Sequence, residues 1–105
     1  MSHAITLEGK SVLVTGASAG IGWATALAFH EKGASLVVTA RREERLRELC
    51  SQIGASGGKA VFYAGDAAQE STAKACVALA ISSFGKLDIL INDAGAGNYK
   101  ELFDT

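Results

Sequence analysis

The sequence predicts an α/β fold, a doubly wound parallel sheet of four strands in the order 3-2-1-4 with three helices. Three observations predict it. Short β-branched runs alternate with segments whose apolar residues recur at helical spacing, and the connections between them are brief. Two of the strand runs, Leu36-Val37-Val38 and Ile89-Leu90-Ile91, are apolar without interruption, as strands covered by helices on both faces are. Short crossovers between parallel strands are right-handed, and that rule gives the strand order.

The elements follow in turn. Ser11 to Thr15 is the first strand, and Gly20 to Lys32 has helical composition with Gly33 as its stop. Ser35 to Ala40 is a second apolar run, completing a βαβ unit. After Arg41-Arg42, the residues Leu46, Leu49, Cys50 and Ile53 hold the i, i+3, i+4, i+7 spacing of an amphipathic helix that Gly54 is expected to end. Glu and Arg occupy its other face. Ala55 to Gly58 reads as a loop and Lys59 to Ala64 as the third strand. Ala73, Cys76, Val77, Ala80 and Phe84 trace a third helix ended by Gly85, and Leu87 to Asn92 is the fourth strand. No internal repeat interrupts the pattern.

The 105 residues make a single domain, residues 1–105. Ten basic residues stand against eleven acidic ones, so no basic stripe suggests nucleic acid. No segment approaches the roughly 20 apolar residues of a membrane span. Cys50 and Cys76 sit in apolar helical patterns without Cys-x-x-Cys spacing, which reads as buried thiols in a reducing, cytoplasmic setting rather than a disulfide or metal site. His3 and His30 lack a Ser or Cys partner at a recognisable spacing and read as surface residues. Trp23 reads as a helix-surface residue.

The chemistry concentrates at Thr15-Gly16-Ala17-Ser18-Ala19-Gly20-Ile21-Gly22. A strand that ends where a helix begins gathers unpaired backbone N–H groups and the positive end of the helix dipole at one point, which suits a pyrophosphate. Gly16 permits the tight turn, Gly20 leaves room for phosphates, and Gly22 lets the helix approach the sheet. The Gly-x-x-x-Gly-x-Gly spacing differs from Gly-x-Gly-x-x-Gly, and the P-loop's Gly-Lys-Ser/Thr ending is absent. The turn therefore reads as a Rossmann-like nucleotide site.

At these residues the chain resembles the short-chain dehydrogenase/reductase family, whose first turn carries Thr-Gly-x-x-x-Gly-Ile-Gly. Two later stretches strengthen the resemblance. Gly65-Asp66-Ala67 resembles the family's adenine-contacting Asp, and Asn92-Asp93-Ala94-Gly95 its Asn-Asn-Ala-Gly, with Asp93 in place of the second Asn. Read without the family, Asp66 is a helix cap or loop residue and Asn92 a turn residue. The resemblance implies a cofactor lying across the C-terminal edge of the sheet, with its pyrophosphate at Gly16, Ser18, Ala19, Gly20, Ile21 and Gly22. It further implies adenine at Asp66 and Ala67, and the adenine ribose at Asn92, Ala94 and Gly95.

The choice of nicotinamide cofactor rests on the end of the second strand. An acidic residue there would accept hydrogen bonds from the adenosine ribose and repel a 2′-phosphate. Here Ala40 is followed by Arg41 and Arg42, and guanidinium groups bind phosphate through paired charge-assisted hydrogen bonds. This favours NADP(H) over NAD(H). Ala19 stands where NADP(H)-preferring members often carry a basic residue, and Ser18 offers a hydroxyl instead. The plainer reading makes the two arginines the solvated start of a charged helix, although positive charge there opposes the helix dipole.

In the resembled family hydride transfer relies on a Tyr-x-x-x-Lys pair and an upstream Ser. Four residues beyond Tyr63 and Tyr99 stand Ala67 and Phe103, so no catalytic residue is assigned. The expected role is the NADP(H)-binding portion of an oxidoreductase that acts on a carbonyl or alcohol. Its expected partners are the missing C-terminal half or further copies of itself, since an open edge at Ile89 to Ile91 favours association. A non-catalytic nucleotide-binding or interaction module is the alternative. A methyltransferase-like domain would want an acid where Ala40 stands.

Overall fold

A computed structural model of the chain describes residues 6–93. Four strands and three helices alternate: β1 (Ser11–Thr15), α1 (Gly20–Glu31), β2 (Ser35–Ala40), α2 (Glu43–Ala55), β3 (Lys59–Ala64), α3 (Glu70–Phe84) and β4 (Ile89–Asn92). The sheet runs β3-β2-β1-β4 with every pairing parallel, as the sequence predicts. Register places Ser11 beside Ser35 and Ser35 beside Lys59, so these strands start level with one another and Thr15, Thr39 and Tyr63 lie side by side near their C-terminal ends.

Alternation along the strands divides the core into two layers. Val12, Val14, Leu36 and Val38 face one side, where Ala26 of α1 and Leu46, Leu49 and Ile53 of α2 seal them from solvent. Leu13 and Val37 face the other, under Ala73, Cys76 and Ala80 of α3. The spacing of Leu46, Leu49 and Ile53 turns all three inward at 0% exposure, each contributing about 1.5–3 kcal/mol of apolar transfer free energy. Leu36, Val37 and Val38 are fully buried on both faces, whereas Ile89, Leu90 and Ile91 are only half-buried because β4 pairs with β1 alone among the described residues.

Several boundaries depart from the sequence reading. Helix α2 runs through Gly54 to Ala55, and the left-handed residue that turns the chain is Gly57, at φ 88°. Gly58 N–H then reaches back to the carbonyl of Ile53 at 2.9 Å. Strand β4 begins at Ile89 rather than Leu87. Asp88 instead grips the start of β1, its carboxylate accepting from Ser11 N–H at 2.9 Å while its own N–H donates to the Ser11 carbonyl at 2.9 Å. Gly33 and Gly85 end their helices as expected, both at positive φ.

Cys76 is buried and Cys50 half-buried; burial pushes the Cys50 thiol up to about 11 and raises that of Cys76 as well. Both are therefore neutral packing residues at physiological pH. His30 is half-buried rather than a surface residue, since it lies under the loop at Gly58, where an added Cβ would come within 2.5 Å of its ring. No helix among the described residues is long and apolar enough to cross a membrane.

Candidate cofactor-binding site

The C-terminal ends of β1, β2 and β3 converge on one cleft, the edge at which parallel α/β sheets take ligands. Strand β1 delivers its chain into Gly16, whose φ of 65° makes the reversal, and Ala17 N–H anchors the turn to the Thr39 carbonyl at 3.1 Å. Ala19, extended at φ −163°, precedes α1 without any side-chain cap. Gly20 takes φ 59° and Ile21 stands 77% exposed beside it. An added Cβ at Gly22 would collide with the Gly16 carbonyl and lie 2.6 Å from its carbon, so α1 sits against the turn as closely as backbone allows.

The first turn of α1 holds no acidic residue, whereas α2 begins with Glu43 and Glu44 and α3 with Glu70. No side chain caps any of the three helices, and α1 alone among them has no acid in its own first turn beside the positive end of its dipole. Asn92 is brought to the same edge by the register of β4 with β1, and its side-chain oxygen accepts from the Thr15 hydroxyl at 2.8 Å. Ala94 and Gly95 lie outside the described residues.

Beyond the turn, a cleft of about 450 Å³ is lined by Ser18, Ala40, Arg41, Arg42, Asp66 and Ala67, together with glycine backbone. Gly65 N–H bonds the Ala40 carbonyl at 2.8 Å and carries the pairing of β2 with β3 one residue past the strands. Asp66 folds its carboxylate onto Ala68 N–H at 2.9 Å and pairs with Arg41 at 2.9 Å across the cleft mouth. Those two contacts, the backbone bond first, hold its carboxyl below the usual carboxylate range against partial desolvation. Arg41 remains 76% exposed and Arg42, the residue before α2, is exposed as well. Glu43 and Glu44 follow them and satisfy the helix dipole that the arginines oppose.

A larger hollow of about 1030 Å³ opens at the opposite edge of the sheet, between Lys32, Gly57 and Lys59. It faces strand N-termini and α-helix C-termini, where no cradle of N–H groups forms, so the smaller cleft is the candidate site.

The family description "short chain dehydrogenase" matches residues 10–105. The chain belongs to the short-chain dehydrogenase family. An uncharacterized oxidoreductase of Listeria innocua is 44% identical to this dehydrogenase-family chain over 91 residues, covering 87% of the chain and 37% of the relative. The crystal structure of L-sorbose reductase from Gluconobacter frateurii, complexed with NADPH and L-sorbose, superposes with a TM-score of 0.82 at 38% identity, over 90% of this chain and 36% of that one. A short-chain dehydrogenase/reductase from Burkholderia phymatum in complex with NAD gives 0.77 at 26% identity, over 83% and 31%. The chain thus spans about a third of the length of the family members it matches.

One residue of this short-chain dehydrogenase site escaped the sequence reading. Arg45, in the first turn of α2, donates through Nε to the Ser18 carbonyl at 3.1 Å and lays its guanidinium over the Trp23 ring at 4.4 Å. Trp23 is accordingly half-buried under an arginine, not a plain surface residue. No spacing signal marked it, because Arg41 precedes α2 and the partners of Arg45 lie on another element.

Proposed function

We propose that this chain binds NADP(H), as the cofactor-binding part of an oxidoreductase that acts on a carbonyl or alcohol. The observation that carries the reading is the pairing of Ala40 with Arg41 and Arg42 at the rim of a cleft that opens from an uncapped helix start. An acid in place of Ala40 would repel a 2′-phosphate; two guanidinium groups attract one. Gly16, Ser18, Ala19, Gly20, Ile21 and Gly22 would hold the pyrophosphate, with the Ser18 hydroxyl helping Arg41 and Arg42 at the 2′-phosphate. Asp66 and Ala67 would meet adenine, and Asn92, Ala94 and Gly95 the adenine ribose.

The fit rests on the positive φ of Gly20, the open space beside it and the uncapped, acid-free start of α1. When bound, the nicotinamide would supply or take up the hydride; these residues bind and orient it. The relatives' names support an oxidoreductase, and both NADPH and NAD occur in the solved neighbours, so the preference for NADP(H) rests on the arginines.

Calorimetric titration of NADPH and NADH into the protein tests this. NADPH is expected to bind more tightly, and Arg41→Ala combined with Arg42→Ala to weaken it roughly 10- to 100-fold, as charge-assisted hydrogen bonds of about 1.5–3 kcal/mol imply. NADH affinity should stay unchanged. Equal affinities for the two cofactors in the unchanged protein would overturn the assignment.

A further inference from the structure

We infer that Arg45 is a positioning residue that fixes the pyrophosphate turn and serves NADPH and NADH alike, in contrast to Arg41 and Arg42. The inference rests on the cofactor reading above. It starts from a peptide unit. Ser18 and Ala19 share a planar trans peptide, in which the Ser18 carbonyl and the Ala19 N–H point in opposite directions. Arg45 Nε holds that carbonyl at 3.1 Å, so the Ala19 N–H is turned away from α2. A charged donor on the carbonyl also polarises the peptide, making the N–H a stronger donor to an anion.

The turn needs such an anchor. Ala19 offers no capping side chain, and Gly16 and Gly20 on either side are the least restricted residues a turn can have. Upstream, the Ala17 N–H bond to Thr39 fixes the start of the turn; downstream, the helix fixes Gly22. Arg45 supplies the restraint between these two points.

Its own geometry is settled from three sides. The guanidinium face lies on the Trp23 indole at 4.4 Å, Nε is spent on Ser18, and one terminal nitrogen pairs with Glu48 at 3.3 Å. A group so engaged is poorly placed to bind a 2′-phosphate, which separates it from Arg41 and Arg42 at the cleft rim. Lysine cannot replace it, since an ammonium has neither a planar face for the indole nor a fixed fork of donors.

Calorimetry on Arg45→Lys and Arg45→Met tests the inference, with Trp23 emission of the cofactor-free protein recorded alongside. Both variants are expected to weaken NADPH and NADH by the same factor, roughly tenfold, leaving the preference between them intact. Trp23 emission should change in both, and Trp23→Phe, which keeps an aromatic face under Arg45, should lose less affinity than either. Loss confined to NADPH would make Arg45 a phosphate ligand and overturn the inference. Unchanged affinities beside an altered Trp23 emission would overturn it too, while the cofactor reading stood. Absence of binding by the unchanged protein would overturn both.

Discussion

Gly20 and Gly22 are two residues apart and are glycine for different reasons. A Cβ on Gly22 would drive into the Gly16 backbone; a Cβ on Gly20 would meet no protein atom within 4 Å, and only its φ of 59° resists substitution. Gly22→Ala is therefore expected to destabilise the fold by about 1–3 kcal/mol in urea denaturation, as overpacking against backbone does. Gly20→Ala is expected to cost about 1 kcal/mol of stability, the left-handed penalty of a Cβ. Its methyl would stand in the space proposed for the pyrophosphate, so NADPH and NADH binding should both fall below detection in calorimetry while the protein stays folded. The motif was legible because glycine spacing survives without a structure. It also divided their labour, Gly20 for phosphates and Gly22 for close packing of the helix; what it did not give is the partner of Gly22, which is the Gly16 carbonyl of the turn itself. Arg45 was illegible for a related reason: its partners are a carbonyl and a ring on another element, and neither leaves a mark on the spacing of charges.

At the scale of elements, apolar patterning located all four strands and the inward faces of α2 and α3, and boundaries were lost where a polar side chain or a glycine could serve two purposes. Gly54 looked like the stop of α2, yet it sits inside the last turn with open space around it, and Gly57 makes the left-handed reversal. Sequence could not separate three glycines within five residues; the carbonyl of Ile53, which takes its bond from Gly58 N–H, does. Opposite outcomes follow for one substitution type. Gly54→Ala is expected to stabilise the protein by about 0.5–1 kcal/mol through helix propensity and a less flexible unfolded chain. Gly57→Ala, at φ 88°, should destabilise by about 1–2 kcal/mol. Thermal unfolding of the two variants beside the parent checks both signs, and a stabilised Gly57→Ala would contradict the placement of the turn. Asp88 shows the same ambiguity at the start of β4. Its place in an apolar run suggested strand, but its carboxylate caps the first N–H of β1 and the Lys86 ammonium lies 3.4 Å away. Those contacts, the Ser11 bond foremost, hold its carboxyl low.

For the molecule as a whole, the sheet order followed from short crossovers, but how completely the helices cover the sheet depends on where each helix lies across it. Helices α1 and α2 together close one face, while among the described residues α3 alone covers the other. Leu79, Phe84, Leu87 and Leu90 are left half-buried there, and Ile81 on α3 is 49% exposed. Among the described residues β4 pairs on one edge only, with Ile89 to Ile91 half-buried along it. Apolar surface beside an unpaired strand edge is the combination that draws chains together. The 105-residue polypeptide produced by itself is therefore expected to self-associate, its weight-average sedimentation coefficient rising from low-micromolar to submillimolar concentration. Ile81→Lys should move that rise to higher concentration, by roughly the tenfold that 1.4 kcal/mol of lost apolar burial supplies. The same variant leaves the C-terminal edge of the sheet untouched, so its NADPH affinity should match the parent's. A monodisperse 10.8 kDa species across the whole range would contradict the association.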